Sequence, residues 1–293
     1  MVTTKSKAKL VAIVGPTASG KSDLAMKIAK EFNGEIICAD SRTIYKGMNI
    51  GTAKPSAKDR KEIRHWGLDL VEPGQSYSAG RFKTYAENAI KDIQDRGKLP
   101  VLVGGTGLYL DGVLYDFSFV KTYRIHRMIY AGWSVNKLQK VLSQRDWPLP
   151  ANLRNRRHLT RALERKGRTG SRRQELPEGV LMVGLMPPDE ELKARIASRA
   201  EAMFEQGIEG ETKGLVAKYG RRKISGTAGI VYKIVLRFLD GEISEEQARE
   251  LFKTADWQYA RRQKTWFKRN TEINWFSAQE EVEKFIKKQL LNT

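Results

Sequence analysis

Residues 10–32 read LVAIVGPTASGKSDLAMKIAKEF, and this segment sets the architecture around which the other motifs are arranged. The apolar run Leu10 to Val14 predicts a buried strand, and the pattern after Ser22 predicts an amphipathic helix. Between them, GPTASGKS has the spacing G-x-x-x-x-G-K-[ST] of a phosphate-binding loop. Backbone N–H groups at a helix N-terminus cradle an anion, and the helix dipole adds positive potential. The segment therefore predicts a strand–loop–helix unit that binds phosphate.

Individual residues of this loop have predicted roles. Lys21 should bring its charge to a terminal phosphate, and the hydroxyl of Ser22 should bind a Mg²⁺ ion. The motif leaves open whether the phosphate belongs to a nucleoside triphosphate such as ATP or to another diphosphate. The predicted diphosphate-binding residues are Gly15, Pro16, Thr17, Ala18, Ser19, Gly20, Lys21 and Ser22.

The charge of the chain indicates a polyanionic partner. Its 293 residues include 53 Lys+Arg against 34 Asp+Glu, a formal net charge of +19. Residues 154–173 hold ten basic residues, counting His158, and one acid, and residues 261–269 hold five basic residues and no acid. A generally basic surface is the alternative, but it would spread these residues more evenly. We therefore expect two patches that bind nucleic acid.

Cysteine usage and hydropathy exclude several classes of protein. The single cysteine, Cys38, excludes an internal disulfide, and with only three histidines a structural zinc site is not expected. The basic start MVTTKSKAK has no apolar segment behind it, and no apolar run approaches the length of a membrane span. We expect a cytoplasmic monomer that does not associate with membranes.

Two further strand ends carry polar residues. GEIICAD predicts a strand over Glu35 to Ala39 that ends at Asp40, and LPVLVGGTG predicts another that ends in a glycine-rich turn with Thr106. Ligands of parallel α/β sheets bind at the carboxyl ends of strands. Asp40, Thr106 and Lys21 should therefore meet in one cleft, where a carboxylate facing a diphosphate suits group transfer. The predicted fold class is α/β, a parallel sheet of the P-loop NTPase type flanked by helices.

A shift in composition divides the chain. Residues 117–150 predict a small helical insertion lobe, and residues 1–116 and 151–293 predict the catalytic core with C-terminal RNA-binding helices. In the lobe, four residues are candidates either for nucleic-acid contact or for the lobe's own core: Tyr123, Arg124, Arg127 and Trp133. After the lobe, Arg154, Arg157 and Arg161 share a face of a predicted helix that can follow a phosphate backbone.

Two helices in the C-terminal half carry further candidates. Arg195 and Arg199 are neighbours at i, i+4 and can reach the diphosphate. Near the end of the chain, one helical face of DWQYARRQKTWFKRN interleaves aromatic and polar residues in a pattern that suits base stacking and phosphate contact. The residues of this face are Tyr259, Arg262, Gln263 and Trp266.

The chain resembles the tRNA dimethylallyltransferases in five segments that occur in the same order as in that family. These segments are GPTASGKS, ADSRTIYKGMNIGTAKP, VLVGGTGLYL, NRRHLTRALE and YARRQKTWF. The resemblance implies transfer of a dimethylallyl group from dimethylallyl diphosphate to N6 of the adenine at tRNA position 37, with release of diphosphate. It implies a Mg²⁺ cofactor, Asp40 as the general base, Thr106 as the residue that orients it, and Lys21 on the diphosphate.

The resemblance also implies an RNA interface. This chain departs from the family at Thr43, where glutamine is usual, at Val231, where glycine is usual, and around Asp256, where threonine is usual. Its insertion is also shorter. The implied RNA-binding residues are Asp40, Ser41, Arg42, Thr43, Asn155, Arg156, Arg157, Ala228 to Lys233 with Tyr232 and Lys233, Arg261, Arg262, Gln263, Trp266 and Lys268.

Three other functions remain open from the residues alone. A small-molecule P-loop kinase would use Asp40 to activate a hydroxyl acceptor, but it would not need the basic helix at 261–269. An adenylate isopentenyltransferase would act on a mononucleotide and would need neither basic segment. A non-catalytic RNA-binding protein would not need both Asp40 and Lys21.

Overall fold

The computed structural model describes residues 8–120, 128–145, 147–150, 152–227 and 229–291. Across these residues the strands form one six-stranded sheet in the order β3-β2-β4-β1-β5-β6, and every pairing is parallel. The predicted α/β class with a parallel sheet is confirmed. The strands are β1 (Leu10–Val14), β2 (Gly34–Cys38), β3 (His65–Trp66), β4 (Leu99–Gly104), β5 (Val180–Leu185) and β6 (Asn274–Phe276).

Helices connect and flank these strands. Their ends follow capping chemistry: the spacing of Ser244 and Gln247 predicts a capping box, and the structure confirms it. The Ser244 side chain accepts from the backbone N–H of Gln247, and the Gln247 side chain accepts from the backbone N–H of Ser244. The described helices are α1 (Lys21–Glu31), α2 (Ala57–Glu62), α3 (Ala79–Asp95), α4 (Gly107–Leu114), α5 (Val135–Ser143), α6 (Arg156–Arg165), α7 (Asp189–Glu205), α8 (Ile208–Tyr219), α9 (Arg221–Thr227), α10 (Ile230–Leu239), α11 (Glu245–Phe267) and α12 (Gln279–Leu291).

Where α11 lies, the sequence predicts two separate helices, one that begins after the cap at Ser244 and one over DWQYARRQKTWFKRN, residues 256–270. The structure has one helix of 23 residues, because residues 245–267 contain neither glycine nor proline to end it. Because of this length, α11 extends from the capping box at its N-terminus to the phosphate loop near its C-terminus. The residues after it form the edge strand β6, which the segment EINWF at 272–276 predicts, and then α12.

The core lies around the central strand β1, whose five residues are all buried. Leu24 and Ile28 of α1 and Val282 and Ile286 of α12 pack in the same apolar cluster as the strand residues. A fully buried leucine or isoleucine contributes roughly 2 kcal/mol of hydrophobic free energy. This packing fixes the carboxyl end of β1, where the phosphate loop begins. None of the described helices has the length and apolar character needed to cross a bilayer.

The chain divides into two compact units, residues 1–114 with 175–293, and residues 115–174. The predicted insertion of 117–150 is therefore too short at its C-terminal side. The reason is packing: Leu159 and Leu163 of α6 are buried against Leu138 and Leu142 of α5, so both helices belong to the second unit. The predicted contact residues Tyr123, Arg124 and Arg127 lie outside the described residues, as does Ala228.

Candidate active site

Three strand ends meet at one edge of the sheet, because β2, β4 and β1 are neighbours in it. A Cβ on Gly104 would lie 2.2 Å from the carbonyl oxygen of Ala39, so only glycine allows the turn after β4 to approach β2 this closely. The backbone N–H of Ser41 donates to Oγ1 of Thr106 at 3.0 Å. Thr106 and the segment at Asp40 are therefore in direct contact, as the sequence predicts.

The phosphate loop starts directly after β1 and ends in the first turn of α1. Gly20 and Ala18 have left-handed backbone conformations, with φ of 90° and 60°. A Cβ on Gly15 would lie 2.5 Å from the carbonyl oxygen of Leu185, so the loop packs against the end of β5. Burial lowers the pKa of Lys21 to about 8, although the nearby carboxylate of Asp40 raises it. Lys21 is thus mostly charged at neutral pH and would gain from an anionic ligand.

Gln263 of α11 binds the backbone of the phosphate loop through its side-chain amide. Its side-chain oxygen accepts from the backbone N–H of Thr17 at 2.8 Å, and its amide nitrogen donates to the carbonyl of Gly105 at 2.9 Å. Gln263 is 5% exposed. The prediction that it contacts RNA is therefore wrong for this conformation, since its polar atoms tie the phosphate loop to the turn after β4.

Helix α7 places two arginines on the same loop. Arg195 donates to the carbonyl of Ser19 at 2.8 Å, and Arg199 donates to the hydroxyl of Thr17. The sequence spacing of these arginines suggested that they reach the diphosphate, and both lie on its predicted cradle. The buried hydroxyl of Ser19 and Nε of Arg199 have no hydrogen-bond partner within the part of the chain that the structure describes.

The half-buried Asp40 lies on the other side of the cleft. Its Oδ1 accepts from the backbone N–H of Arg42 at 2.8 Å. The guanidinium of Arg42 lies 4.2 Å from the ring centroid of Tyr259, which also hydrogen-bonds with Thr106. Burial and the charge of Asp40 raise the pKa of Tyr259 to about 12, so its hydroxyl keeps its proton. Sequence reasoning placed Tyr259 on the correct helix face but gave it no role at Asp40.

A second glycine-containing loop, residues 49–54, lies elsewhere in the same unit. Its backbone N–H groups at Asn49, Ile50 and Gly51 donate to the carboxylate of Glu211 at 2.9, 2.8 and 3.2 Å. The hydroxyl of Tyr232 donates to the same carboxylate at 2.6 Å. No sequence motif pointed to Glu211, which lies about 160 residues from the loop that it holds.

Two more predicted RNA contacts are buried. Tyr232 is 0% exposed and packs against Gly51, where a Cβ would lie 2.7 Å from its ring. Thr43 is 6% exposed and donates to the carbonyl of Asp40 at 3.4 Å. Both predictions are contradicted in this conformation, because the side chains are used inside the protein.

In the second unit, α6 begins at Arg156, so Arg154 precedes the helix and does not share its face. Asn155 is the N-cap and accepts from the backbone N–H of Arg157 at 3.0 Å. The Arg156 guanidinium donates to the carbonyls of Tyr130 and Trp133, so it stabilises this unit. Arg157 is exposed.

In the first unit, the remaining predicted contacts lie at least partly at the surface. Trp266 is 38% exposed, and its indole N–H donates to Asp111 at 2.9 Å. Ser41 and Arg42 are partly exposed beside Asp40. Among the predicted RNA contacts of this unit, the exposed basic residues are Lys233 of α10, Arg261 and Arg262 near the end of α11, and its C-cap Lys268.

These features define a class of protein: an α/β protein with a phosphate loop on strand β1 and a carboxylate at the end of β2, two strands away in the same sheet. Residues 43–270 match the family model for IPP transferase, and residues 8–75 match that for isopentenyl transferase. The chain belongs to the IPP transferase family.

Relatives and solved structures agree with this assignment. The tRNA dimethylallyltransferase of Anoxybacillus flavithermus is 38% identical, with 92% of this chain and 90% of that protein covered. The crystal structure of the tRNA isopentenylpyrophosphate transferase from Bacillus halodurans has a TM-score of 0.71 at 33% identity, covering 98% of each chain. A eukaryotic dimethylallyltransferase acting on tRNA has a TM-score of 0.73 at 29% identity, covering 88% of this chain and 69% of that one.

Proposed function

We propose that this protein is a tRNA dimethylallyltransferase. It transfers a dimethylallyl group from dimethylallyl diphosphate to N6 of the adenine at tRNA position 37 and releases diphosphate. The observation that carries the proposal is the position of Asp40 beside Thr106, whose strand β4 is paired with the strand β1 that carries the phosphate loop. The names of its relatives, such as the Anoxybacillus flavithermus enzyme, supply tRNA and the dimethylallyl group, and the resemblance of the sequence motifs implies the adenine at position 37.

Asp40 solves the main chemical difficulty of the acceptor. The exocyclic amine of adenine is a weak nucleophile, because its lone pair is delocalised into the ring. As the new C–N bond forms and the C–O bond to the diphosphate breaks, Asp40 takes the proton from N6. Thr106 accepts from the backbone of Ser41 and so fixes the segment that carries this carboxylate. Removing the proton prevents positive charge from accumulating on the nitrogen.

The phosphate loop stabilises the leaving group. Negative charge grows on the diphosphate as the C–O bond breaks, and Lys21, Arg195 and Arg199 lie on or beside the loop that receives it. The hydroxyl of Ser19, which has no partner among the described residues, fits a ligand that closes against the loop. The cleft thus pairs a proton acceptor with an anion site.

Mg²⁺ fits this donor set. In phosphate loops the ion is held mostly by phosphate oxygens and one serine or threonine hydroxyl, here Ser22 in the first turn of α1. Such a site needs no cluster of carboxylates, and none of three or more His, Cys, Asp or Glu groups occurs among the described residues. When bound, the ion would neutralise charge on the diphosphate.

The end of α11 supplies the RNA surface in this proposal. Arg261, Arg262 and Lys268 are exposed there, and the Arg262 guanidinium lies 5.8 Å from the ring centroid of Tyr259. Arg157 and Lys233 are further exposed cations that suit phosphate contacts. The adenine has to leave its stack to reach Asp40, which costs least for a base in an exposed loop. We further propose a cytoplasmic monomer.

The deciding experiment uses radiolabelled dimethylallyl diphosphate with an anticodon stem-loop, AMP or ATP. Label should appear on the stem-loop, and Asp40→Asn should reduce transfer by about 10³-fold while stem-loop binding is retained. Asp95→Asn, an exposed aspartate on α3, is the matched control and should be neutral. Label on AMP alone would indicate an adenylate isopentenyltransferase, and ATP consumption without transfer would indicate a kinase.

The RNA surface has its own test. Arg262→Ala should weaken stem-loop binding and reduce the slope of log Kd against log salt by about 1, because one phosphate contact is lost. Lys284→Ala on α12 removes the same charge from an exposed position and should leave the slope unchanged. Equal slopes for both variants would exclude the end of α11 as the RNA surface.

A further inference from the structure

Asp256 of α11 is a buried carboxylate between two arginines. It is 1% exposed, and its Oδ1 and Oδ2 lie 3.7 Å from Nη1 of Arg42 and 3.6 Å from Nη1 of Arg199. These are ion pairs at distances longer than hydrogen bonds. Counting only residues that the structure describes, neither carboxylate oxygen has a hydrogen-bond partner. The Asp256 carboxylate therefore balances the charges of Arg42 and Arg199 without accepting a hydrogen bond from either guanidinium.

The two arginines belong to opposite sides of the cleft. The backbone N–H of Arg42 binds Asp40, on the acceptor side, and the guanidinium of Arg199 donates to Thr17 of the phosphate loop. Asp256 also favours the charged form of Lys21, so it acts on three cations of the site. A buried carboxylate without hydrogen bonds is costly unless cations surround it. The free energy of the buried Asp256 charge therefore depends on the cations of the diphosphate site.

An anion that enters the loop competes with the Asp256 carboxylate for the positive charge of Arg199. The Nε of Arg199 is buried and lacks a partner among the described residues, so a diphosphate can use a donor that Asp256 leaves open. The positive charge of the guanidinium, however, is already partly balanced by Asp256. A ligand of high negative charge also experiences repulsion from the carboxylate, because the charge of Asp256 acts on Lys21 of the same loop. Both effects lower the affinity of the loop for diphosphate.

We propose that Asp256 is an internal counter-ion that positions Arg42 and Arg199 in the cleft and weakens the binding of pyrophosphate, so that this product leaves. The inference rests on the proposed function, in which the loop receives the diphosphate. Asp256 touches no reacting atom in this account and acts only through the arginines.

The test is calorimetric titration of the whole protein with pyrophosphate and Mg²⁺. Asp256→Asn keeps the shape and removes the charge, and it should bind pyrophosphate about tenfold more tightly than the wild type. Asp256→Thr removes the same charge with a different shape and should change affinity in the same direction. Asp240→Asn, at an exposed ion pair with Arg221, is the matched control and should leave affinity unchanged.

Turnover supplies a second readout. In both Asp256 variants, KM for dimethylallyl diphosphate and kcat should fall together, because donor binds more tightly and pyrophosphate leaves more slowly. A merely structural role predicts the opposite, a higher KM with weaker pyrophosphate binding. Unchanged or weaker affinity in a folded variant, or failure of both variants to fold, would overturn the inference. A wild type that does not bind pyrophosphate would instead overturn the proposed phosphate site as well.

Discussion

The phosphate loop, residues 15–22, and the loop at residues 49–54 look alike in sequence but differ in what they bind. Both contain glycine and end near a lysine. The second loop directs three backbone N–H groups at the carboxylate of Glu211. In the described structure, no carboxylate accepts a hydrogen bond from the phosphate loop, which is held by neutral and cationic side chains. The protein thus fills one anion cradle with its own glutamate and leaves the other for a ligand.

The two lysines show the same contrast. Lys54 has a side chain that is 1% exposed and donates to Asp69 at 2.6 Å and to the carbonyl of Tyr45 at 2.5 Å. Burial lowers its pKa, and Asp69 opposes that shift. Lys21 donates to the neutral carbonyl of Pro16 at 3.0 Å, and burial lowers its pKa to about 8. A lysine paired with a carboxylate is structural, whereas one without such a pair gains from an incoming anion.

The largest effect expected from this contrast is that of Lys21→Ala on diphosphate binding. The substitution removes a charge-assisted contact, so the Kd for pyrophosphate should rise by about a hundredfold. Lys54→Met is the matched control from the other loop and should change this Kd by less than about twofold. If Lys54→Met weakened pyrophosphate binding as much as Lys21→Ala, the two loops would have to share one ligand.

Glu211→Gln should affect stability and leave pyrophosphate binding unchanged. The amide replaces a charged acceptor of three backbone N–H groups, so the free energy of unfolding should fall by about 2 kcal/mol in urea titrations. Glu205→Gln, an exposed glutamate at the end of α7, should change it by less than about 0.5 kcal/mol. A stable Glu211 variant with altered pyrophosphate affinity would contradict the structural role assigned to the second loop.

Gln263→Leu tests whether α11 organises the phosphate loop. The variant leaves the N–H of Thr17 and the carbonyl of Gly105 without their buried partner, and KM for dimethylallyl diphosphate should rise about tenfold. Gln258→Leu, at an exposed position of the same helix, should not change KM. Loss of RNA affinity without a change in KM would restore the original prediction that Gln263 contacts RNA.

The smallest expected effect is a pH dependence. With the pKa of Lys21 lowered to about 8, the protein loses this charge as pH rises through that value. An anion binds the protonated form, so pyrophosphate affinity should be about fourfold weaker at pH 8.5 than at pH 7. Lys21→Arg stays charged over this range and should remove the difference. An identical decline in that variant would assign the pH dependence to another group.

Much of the site could be predicted because its residues follow strands. The sequence places Lys21, Asp40 and Thr106 just beyond apolar runs, and a parallel sheet brings such positions to one edge. The roles of Gln263 and Tyr232 could not be predicted, because helical periodicity assigns a face but does not identify what covers that face. The burial of Thr43, in the turn after β2, depends on the packing of that turn and has no periodic signal in the sequence. The predicted C-terminal boundary of the insertion was wrong for a related reason. The basic composition of α6 does not indicate that two of its leucines pack against α5.

The sequence by itself determined the phosphate loop, the order along the chain of the strands that carry Asp40 and Thr106, and the excess of positive charge. Each of these depends on local spacing or on composition. Only the tertiary structure decided which of two similar loops stays open to an anion. It also decided that Asp256 lies between Arg42 and Arg199. These outcomes depend on partners about 60 to 210 residues apart in the chain, whose charges act on one another only after the sheet and α11 have packed.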